Sequence, residues 1–216
     1  MDDFLNFDLS DMEMSDAHRL MLHCIAPRPI AIISTLSADG TANLAPYSYF
    51  TVGGANPPSV ALSSLTDRAG ERKNTLRNIE ETGEYVLCAV TWSMREQMYA
   101  LVSPEQQPCD WQSSGFTAMP SAKVRPACVQ ESPFALECRL HRVVQHGVGP
   151  QAANYIIGEV VHIHVARKAM PDGVLDPGGV EYLARMGGDW YARLCSQDLF
   201  EMGRPARTDG PGETGS

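Results

Sequence analysis

The sequence predicts a mainly β domain in which six antiparallel strands close into a small barrel, with a few flanking helices. Three observations favour this fold class. Strand patterns of β-branched and apolar residues recur along the chain, helical patterns are few, and a strong hairpin signal follows the first strand. The 216 residues are enough for one domain that buries a core without a disulfide or a metal.

The first predicted strand covers residues 29–36, which are mostly apolar and β-branched, and Asp39-Gly40 then predicts a hairpin turn. The other five predicted strands are residues 41–52, 59–65, 84–90, 134–145 and 154–165.

Two segments have helical spacing. Residues 71–82 place Leu76 and Ile79 three apart and end at Gly83, a typical stop signal, and residues 92–102 form the second helical pattern. Residues 103–132 are rich in proline and are predicted to be loop.

The domain organisation follows from composition at the two ends. Residues 1–16 carry six acidic side chains and no basic one, which predicts an acidic N-terminal arm. Residues 203–216 are rich in Gly and Pro, which predicts a flexible C-terminal tail. The barrel domain is therefore expected over residues 17–202.

Charge and cysteine usage exclude several classes of protein. The net charge of −9 disfavours nucleic acid and anionic membranes as partners. No apolar run reaches the roughly 18 residues of a membrane helix, and no secretory signal is recognisable. The six cysteines are irregularly spaced, which indicates reduced thiols, and we expect a cytoplasmic protein.

One segment combines hydroxyls and cations between a strand end and a helix start. Its relevant residues are Ser63, Ser64, Arg68, Lys73, Asn74 and Thr75. Hydroxyl groups, a lysine and the free N–H groups of a helix start together suit a phosphate. A solvated, charged helix start after an ordinary loop has the same pattern, and spacing alone leaves both interpretations open.

A second segment, residues 39–50, can offer polar groups to a flat heterocycle. Asn43, Ser48 and the backbone around Ala45 and Pro46 supply donors and acceptors. A proline inside a strand indicates a bulge or an edge, where backbone groups are left unpaired. The alternative is a kinked strand with aromatic packing.

Other candidate sites are weaker. His162 and His164 share one face of the last predicted strand, but the sequence places no third ligand near them. We interpret them as barrel-wall side chains and predict no metal site. The chain contains no G-x-S-x-G elbow, P-loop or G-x-G-x-x-G.

Taken together, these segments resemble the flavin reductase-like FMN-binding split-barrel family, in particular the branch with the flavin reductase component of nitrilotriacetate monooxygenase and flavoredoxin. The matching segments, in order, are PRPIAIIST, NLAPYSYF, SS…R…KNTLRNIEETGEYV, ESPFALEC, IGEVVHIH and YLARMGGDWY. They span roughly residues 17–205. The resemblance implies a six-stranded split barrel, a homodimer, and FMN near the subunit interface.

The resemblance also implies a set of cofactor-binding residues. Those matching the segment for the flavin phosphate and ribityl chain are Ser63, Ser64, Arg68, Lys73, Asn74 and Thr75. Those matching the segment beside the isoalloxazine ring are Asn43, Ala45, Pro46, Tyr47 and Ser48. Arg185 matches a C-terminal element near the same pocket.

The chain departs from the family pattern at two places. Position 74 is Asn where many members have Asp, which removes a negative charge beside the phosphate. Many reductases also carry Gly-Asp-His ending five residues before the glycine of the last barrel strand. Counting back from Gly158 gives Gln151-Ala152-Ala153, so the histidine associated with nicotinamide use is absent.

The resemblance implies an FMN-binding oxidoreductase that takes hydride from NADH or NADPH and supplies reduced flavin, or electrons, to a partner such as a monooxygenase. Because the cofactor performs the chemistry, we assign no catalytic side chain. Ala153 favours an alternative, an electron carrier or flavin store without NAD(P)H turnover. A protein that has lost its ligand is disfavoured by the retained Lys73, Thr75 and paired serines.

Overall fold

The computed structural model describes residues 3–102 and 111–203, and within those ranges the protein is mainly β, as predicted. The strands are β1 (Arg28–Pro29), β2 (Ala31–Leu36), β3 (Ala42–Tyr47), β4 (Phe50–Ala55), β5 (Pro58–Leu65), β6 (Glu84–Ala89), β7 (Ala118–Met119), β8 (Cys128–Val129), β9 (Phe134–His146), β10 (Ala153–Val165), β11 (Tyr182–Gly187) and β12 (Trp190–Leu194). The helices are α1 (Met14–Cys24), α2 (Asn74–Thr82), α3 (Arg95–Ala100) and α4 (Trp111–Ser114).

One large antiparallel sheet dominates the fold, with the strand order β3-β2-β6-β9-β10-β5-β4. Strands β1, β11 and β12 form a second sheet of three strands, and β7 pairs with β8. The predicted class is therefore confirmed, although the large sheet has seven strands where the sequence predicts six.

The additional strand arises because the predicted strand 41–52 is divided. β3 pairs with β2 at one edge of the sheet, and β4 pairs with β5 at the other edge. The chain crosses between the two edges at Ser48 and Tyr49. The apolar and aromatic pattern continues through this crossing, so periodicity alone could not reveal it.

The helices also differ in extent from the sequence predictions. α2 starts at Asn74, three residues later than predicted, because the Asp67 carboxylate accepts hydrogen bonds from the Ala69 and Glu71 N–H groups and holds a turn there. The helix ends at Gly83, as predicted. The predicted helix 92–102 is a 3-10 turn followed by α3.

The structure contains helices and strands in three regions where the sequence predicts an arm, a loop or no strand. α1 spans the predicted boundary between the acidic arm and the domain at residues 16 and 17. The β11–β12 hairpin was not predicted as strands, and the predicted loop 103–132 contains α4, β7 and β8. The predicted tail lies outside the described residues beyond position 203.

The core lies on both faces of the large sheet. In β2, Ile32 packs in a hydrophobic cluster that includes Met98 of α3. Ala31 and Ile33 pack on the opposite face of the sheet, against the buried side of α2. β6 divides its side chains in the same way. Strands buried on both faces have continuous apolar sequences, which explains why these two segments show no alternation.

The five cysteines in the described ranges, Cys24, Cys88, Cys128, Cys138 and Cys195, are free thiols, and Cys109 lies outside those ranges. No helix within residues 3–102 and 111–203 is both long and apolar enough to cross a bilayer.

Gly158 on β10 allows a close approach that generates the first testable prediction. A Cβ atom there would lie 2.0 Å from the hydroxyl oxygen of the fully buried Tyr85. We expect Gly158→Ala to lower the free energy of unfolding by about 1–3 kcal/mol through overpacking, as measured by urea denaturation.

Tyr85→Phe provides the matched background for this test, because it removes the nearest atom and leaves ring carbons at 2.8 and 3.0 Å. The cost of Gly158→Ala should be smaller in that background. An equal cost in both backgrounds would contradict the steric explanation.

Candidate functional site

A cleft of about 660 Å³ lies where the chain crosses from β3 to β4. Most of the residues predicted as cofactor-binding line it, namely Asn43, Ala45, Pro46, Tyr47, Ser48, Ser63, Lys73, Asn74 and Thr75. The cleft is also lined by residues that are not among the predicted cofactor-binding set, namely Tyr49, Leu65, Asp67, Arg72, Arg77, Leu101 and Val102. Its volume is in the ordinary range of a small-molecule site.

One wall of the cleft is the edge strand β3. Pro46 lies on this edge, in agreement with its predicted position, and it pairs with Ile32 of β2. An edge strand leaves one row of backbone N–H and C=O groups without a partner strand. The backbone from Ala45 to Ser48 can therefore offer hydrogen bonds to a planar ligand in the cleft.

A second wall is the start of α2. Lys73 occupies the N-cap position with an extended backbone, and no side chain caps the helix. The first N–H groups of a helix have no intrahelical partner and carry a partial positive charge. The exposed Lys73 ammonium has no ion-pair partner in the described part of the chain, so both features favour an anion at this end of the cleft.

The other charged side chains that line the cleft near α2 are only partly neutralised by ion pairs. Arg72 forms an ion pair with Glu80 at 2.8 Å, whereas Arg77 donates to the neutral side-chain oxygen of Asn74. The Asp67 carboxylate is engaged by backbone N–H groups of its own turn. The cleft is therefore cationic at the start of α2, although the whole chain carries a charge of −9.

Buried hydrogen bonds hold α2 against the sheet. Asn43 Nδ2 donates to Thr75 Oγ1 at 3.1 Å, and Asn78 Nδ2 donates to Thr35 Oγ1 at 3.0 Å. All four residues are buried. Because buried polar groups that are paired in this way specify one arrangement, these bonds orient the start of α2 toward the cleft.

Three of the predicted residues do not line the cleft. Ser64 is fully buried, and its hydroxyl lies 3.1 Å from the Tyr47 hydroxyl. Burial raises the pKa of Tyr47, so this phenol is neutral and acts as a hydrogen-bonding group. Arg68 is exposed on the turn before α2. Arg185 lies on β11, where it bonds to Tyr191 and to the Gly188 carbonyl.

The Gln151-Ala152-Ala153 segment lies beside the cleft. Ala153 pairs with Leu65, which lines the cleft, and the Ala152 N–H donates to Thr66 Oγ1 at 2.8 Å. The segment that departs from the family pattern is therefore at the end of β5, next to the candidate site. Its two alanines contribute only methyl groups there.

The histidines of β10 lie in a different place. His164 Nε2 is 2.6 Å from the carboxylate of the fully buried Glu137, and the Cys128 thiol is close enough for these three groups to surround an ion. However, Glu137 also accepts backbone N–H bonds from Ala122, Lys123 and Val124. These four donors occupy the acceptor positions of the carboxylate, so we interpret the group as a structural clasp.

The fold and the cleft define a β-barrel protein whose candidate ligand site lies outside the barrel core, between a strand edge and a helix start. The model of the flavin reductase-like domain matches residues 22–183, and the chain belongs to this family.

Three comparisons illustrate the likeness. The uncharacterized protein BH2278 of Halalkalibacterium halodurans is 32% identical over 199 residues, covering 90% of this chain and 93% of that protein. Nitrilotriacetate monooxygenase component B from Bacillus cereus has a TM-score of 0.84 and 30% identity, covering 92% of this chain and 100% of that one. Flavoredoxin from Methanosarcina acetivorans shares the fold, with a TM-score of 0.69, 17% identity, and coverage of 95% and 97%.

The Glu137 clasp predicts a defined pH dependence of stability. Burial alone would raise the pKa of Glu137, but the hydrogen bonds from Ala122, His164, Lys123 and Val124 outweigh it, and the pKa lies below its usual value of 4.5. The clasp therefore stabilises the fold above about pH 4.5, and this contribution is lost as the pH falls through the lower folded-state pKa.

We expect Glu137→Gln to lower the free energy of unfolding by about 1.5–3 kcal/mol at neutral pH, because an amide has one acceptor oxygen and cannot satisfy all the N–H groups that the buried carboxylate accepts. Urea denaturation at neutral pH and in the acid range measures the effect. The gap between wild type and variant should narrow in acid. Glu131→Gln is the control and should have a small effect, because within the described residues this carboxylate receives the Thr117 N–H alone. A gap that does not change with pH would contradict the assigned ionised state.

Proposed function

We propose that this chain binds FMN in the cleft and is an NAD(P)H:flavin oxidoreductase that supplies reduced flavin, or its electrons, to a partner protein. The observation that carries the proposal is the cationic, uncapped start of α2 beside an open strand edge, in a chain whose overall charge is strongly negative. Family membership supports a flavin reductase-type role.

The donor set of the cleft suits FMN. Lys73, the Ser63 hydroxyl and the first N–H groups of α2 would hold the phosphate, since charge-assisted bonds from an ammonium and a helix start favour a dianion. The backbone groups from Ala45 to Ser48 would meet the polar edge of the ring. Leu65 adds apolar surface on the same cleft, as a site for a flat ring system requires.

The remaining predicted residues support this site from its surroundings. Ser64 orients the Tyr47 hydroxyl, and Thr75 with Asn43 fixes the direction of α2. Arg68 adds positive charge on the preceding turn, and Arg185 lies on β11, outside the residues that line the cleft.

FMN, when bound, supplies the electron and hydride chemistry. The part played by this chain is to bind, to orient and to exclude water, so the proposal needs no acid–base side chain. The cleft must also leave one face accessible to a nicotinamide nucleotide, NADH or NADPH.

A partner that receives reduced flavin is supported by one comparison. The Bacillus cereus protein with the same fold is named as component B of a monooxygenase, which implies a second component in that system. We propose a redox partner of the same general kind for this chain.

A homodimer belongs to the same proposal. The cleft is an open groove, and α1 buries none of its residues within one chain. The N-terminal arm exposes Phe4 and Leu5 almost fully. A second copy covering these surfaces would remove apolar area from water and could roof the groove.

A second candidate function is favoured by the Ala152-Ala153 segment. These methyl groups beside Leu65 offer no charge or ring to anchor a nicotinamide nucleotide. An FMN-binding electron carrier or flavin store would need no such anchor. The two functions share the FMN site and differ in their reaction with NAD(P)H.

Lys73→Ala tests the FMN site directly. Loss of one charge-assisted contact should weaken FMN binding by about 1.5–3 kcal/mol, or roughly 10- to 150-fold, and should leave riboflavin binding nearly unchanged because riboflavin has no phosphate. Quenching of flavin fluorescence on titration of the apoprotein measures both affinities.

Lys123→Ala, at an exposed lysine remote from the cleft, is the matched control and should bind FMN as the wild type does. An equal loss of FMN and riboflavin binding in Lys73→Ala would show that Lys73 is structural. No saturable binding of either flavin by the wild type at tens of micromolar would refute the FMN site itself.

Anaerobic mixing with NADH or NADPH separates the two candidate functions. Stopped-flow absorbance of the FMN-loaded protein should show loss of the oxidised flavin band within seconds for at least one nucleotide. A band that persists with both nucleotides, while a protein donor reduces it, would establish the carrier function instead.

A further inference from the structure

His162 and His164, here called the histidine pair, lie together near the end of β10. Their rings meet edge to face, with centroids 4.7 Å apart and an interplanar angle of 67°. Both side chains are partly exposed. Two imidazoles are therefore in contact at the surface, away from the cleft.

A β-bulge places the pair on its face of the sheet. Val160 is the register partner of Cys138, whereas His162 is the partner of Glu137, so one residue of β10 has no counterpart on β9. Because side chains alternate between the two faces of a strand, a shift of one residue moves the following side chains to the other face. Without the bulge, the pair would face the hydrophobic cluster that contains Cys138 and packs with Val160. With the bulge, the pair faces Glu137.

This part of β10 has a neighbouring strand on one side. β5 pairs with β10 from Ala153 to Glu159, and among the described strands β9 alone continues beside the last residues of β10. The histidine pair therefore lies beyond the part of β10 that is covered on both sides. A small ion can reach it from solvent.

Glu137 fixes which ring nitrogen of His164 is available. Three backbone N–H groups already donate to its carboxylate, so this group is also the acceptor in its contact with His164. The His164 Nε2 atom, 2.6 Å away, is therefore the protonated nitrogen, and Nδ1 carries the free lone pair. A carboxylate that orients a histidine in this way is the usual outer partner of a metal-binding imidazole.

His162 supplies the second nitrogen. Neither of its ring nitrogens forms a hydrogen bond to another group within residues 3–102 and 111–203. Two imidazoles that bind one tetrahedral ion at about 2.0–2.1 Å have ring centres roughly 5 Å apart. The separation of 4.7 Å between these two rings is close to that spacing.

The buried side of His164 offers no room for the ion. The Cys128 thiol lies close to Glu137 and His164, but Cys128 is fully buried and its sulfur is 3.4 Å from the Ser121 hydroxyl oxygen. The acceptor positions of Glu137 are already occupied by its four donors. The histidine pair can therefore bind an ion on its solvent side, while Glu137 supports it from within the fold.

We propose that the histidine pair binds a divalent transition-metal ion, Zn²⁺ or Cu²⁺, through His164 Nδ1 and a ring nitrogen of His162, with water in the remaining positions. Imidazole is a preferred ligand of these ions, whereas Mg²⁺ and Ca²⁺ prefer oxygen. The sequence predicts no metal site, because neither the bulge nor the contact with Glu137 is visible in it. The site is separate from the cleft and does not depend on FMN binding.

Calorimetric titration with Zn²⁺ tests the site in the Cys24→Ser background, which removes an exposed thiol. We expect one saturable site at micromolar Zn²⁺ and no comparable binding of Mg²⁺. His162→Gln removes a ligand and leaves the contact between His164 and Glu137 in place, so Zn²⁺ binding should weaken by about 10- to 100-fold or more, since loss of an outer partner alone has an effect of that size. His146→Gln, at an exposed histidine at the opposite end of β9, is the matched control and should not change the affinity.

Glu137→Gln tests the positioning role of the carboxylate. Under conditions where this variant is fully folded, Zn²⁺ binding should weaken by about 10- to 100-fold, a change that a loss of stability alone would not cause in the folded protein. Unchanged affinity would overturn the positioning role.

Electron paramagnetic resonance of the Cu²⁺-loaded protein provides a second measurement, because coupling to nitrogen counts the bound imidazoles. Two are expected in the Cys24→Ser background and one in His162→Gln. Coupling to fewer than two in the background would refute the proposal even if His162→Gln fails to fold. Absence of Zn²⁺ binding, or unchanged affinity in folded His162→Gln, would also overturn it. Loss of binding in Cys128→Ala would place the ion in the buried cluster instead and would overturn the proposal as well.

Discussion

The crossing of the chain at Ser48 and Tyr49 is the constraint on which the candidate site depends. It carries the backbone from the β3 edge of the large sheet to the β4 edge, and so joins the two ends of the sheet order. A small barrel of this number of strands fills its interior with side chains and has no room there for a large ring. The crossing therefore produces the space that the interior cannot provide, at the place where one strand edge is left without a partner.

The orientation of α2 depends in turn on buried polar contacts with the same part of the sheet. Thr75 and Asn78 lie three residues apart, on the buried side of the helix, and each meets a polar side chain from β2 or β3. A purely apolar contact would leave the rotation of the helix less well specified. The same contacts that secure the helix thus direct its uncapped N–H groups and Lys73 to the cleft. Thr75 and Asn78 thus hold the helix against the sheet, whereas the neighbouring Lys73 faces the cleft.

The effect of each departure from the family pattern depends on the side chains around it. Asn74 leaves Arg77 bonded to a neutral oxygen, so the positive charge at the start of α2 is retained. The Ala152-Ala153 segment offers only methyl groups at the end of β5.

The sequence by itself determined the mainly β class, the hairpin at Asp39-Gly40, the end of α2 at Gly83 and most of the residues that line the cleft, because these depend on local patterns of side chains and on short motifs. It did not reveal the division of residues 41–52 into two strands, since both halves have the same period, nor the pairing of β1 with β11. Arg28 stands just before the first predicted strand, inside a segment that matches the family, and no local signal distinguished it. Its contacts with the end of α1, with Arg185 and with Tyr49 join segments far apart in the chain, and only the tertiary structure brings these groups together.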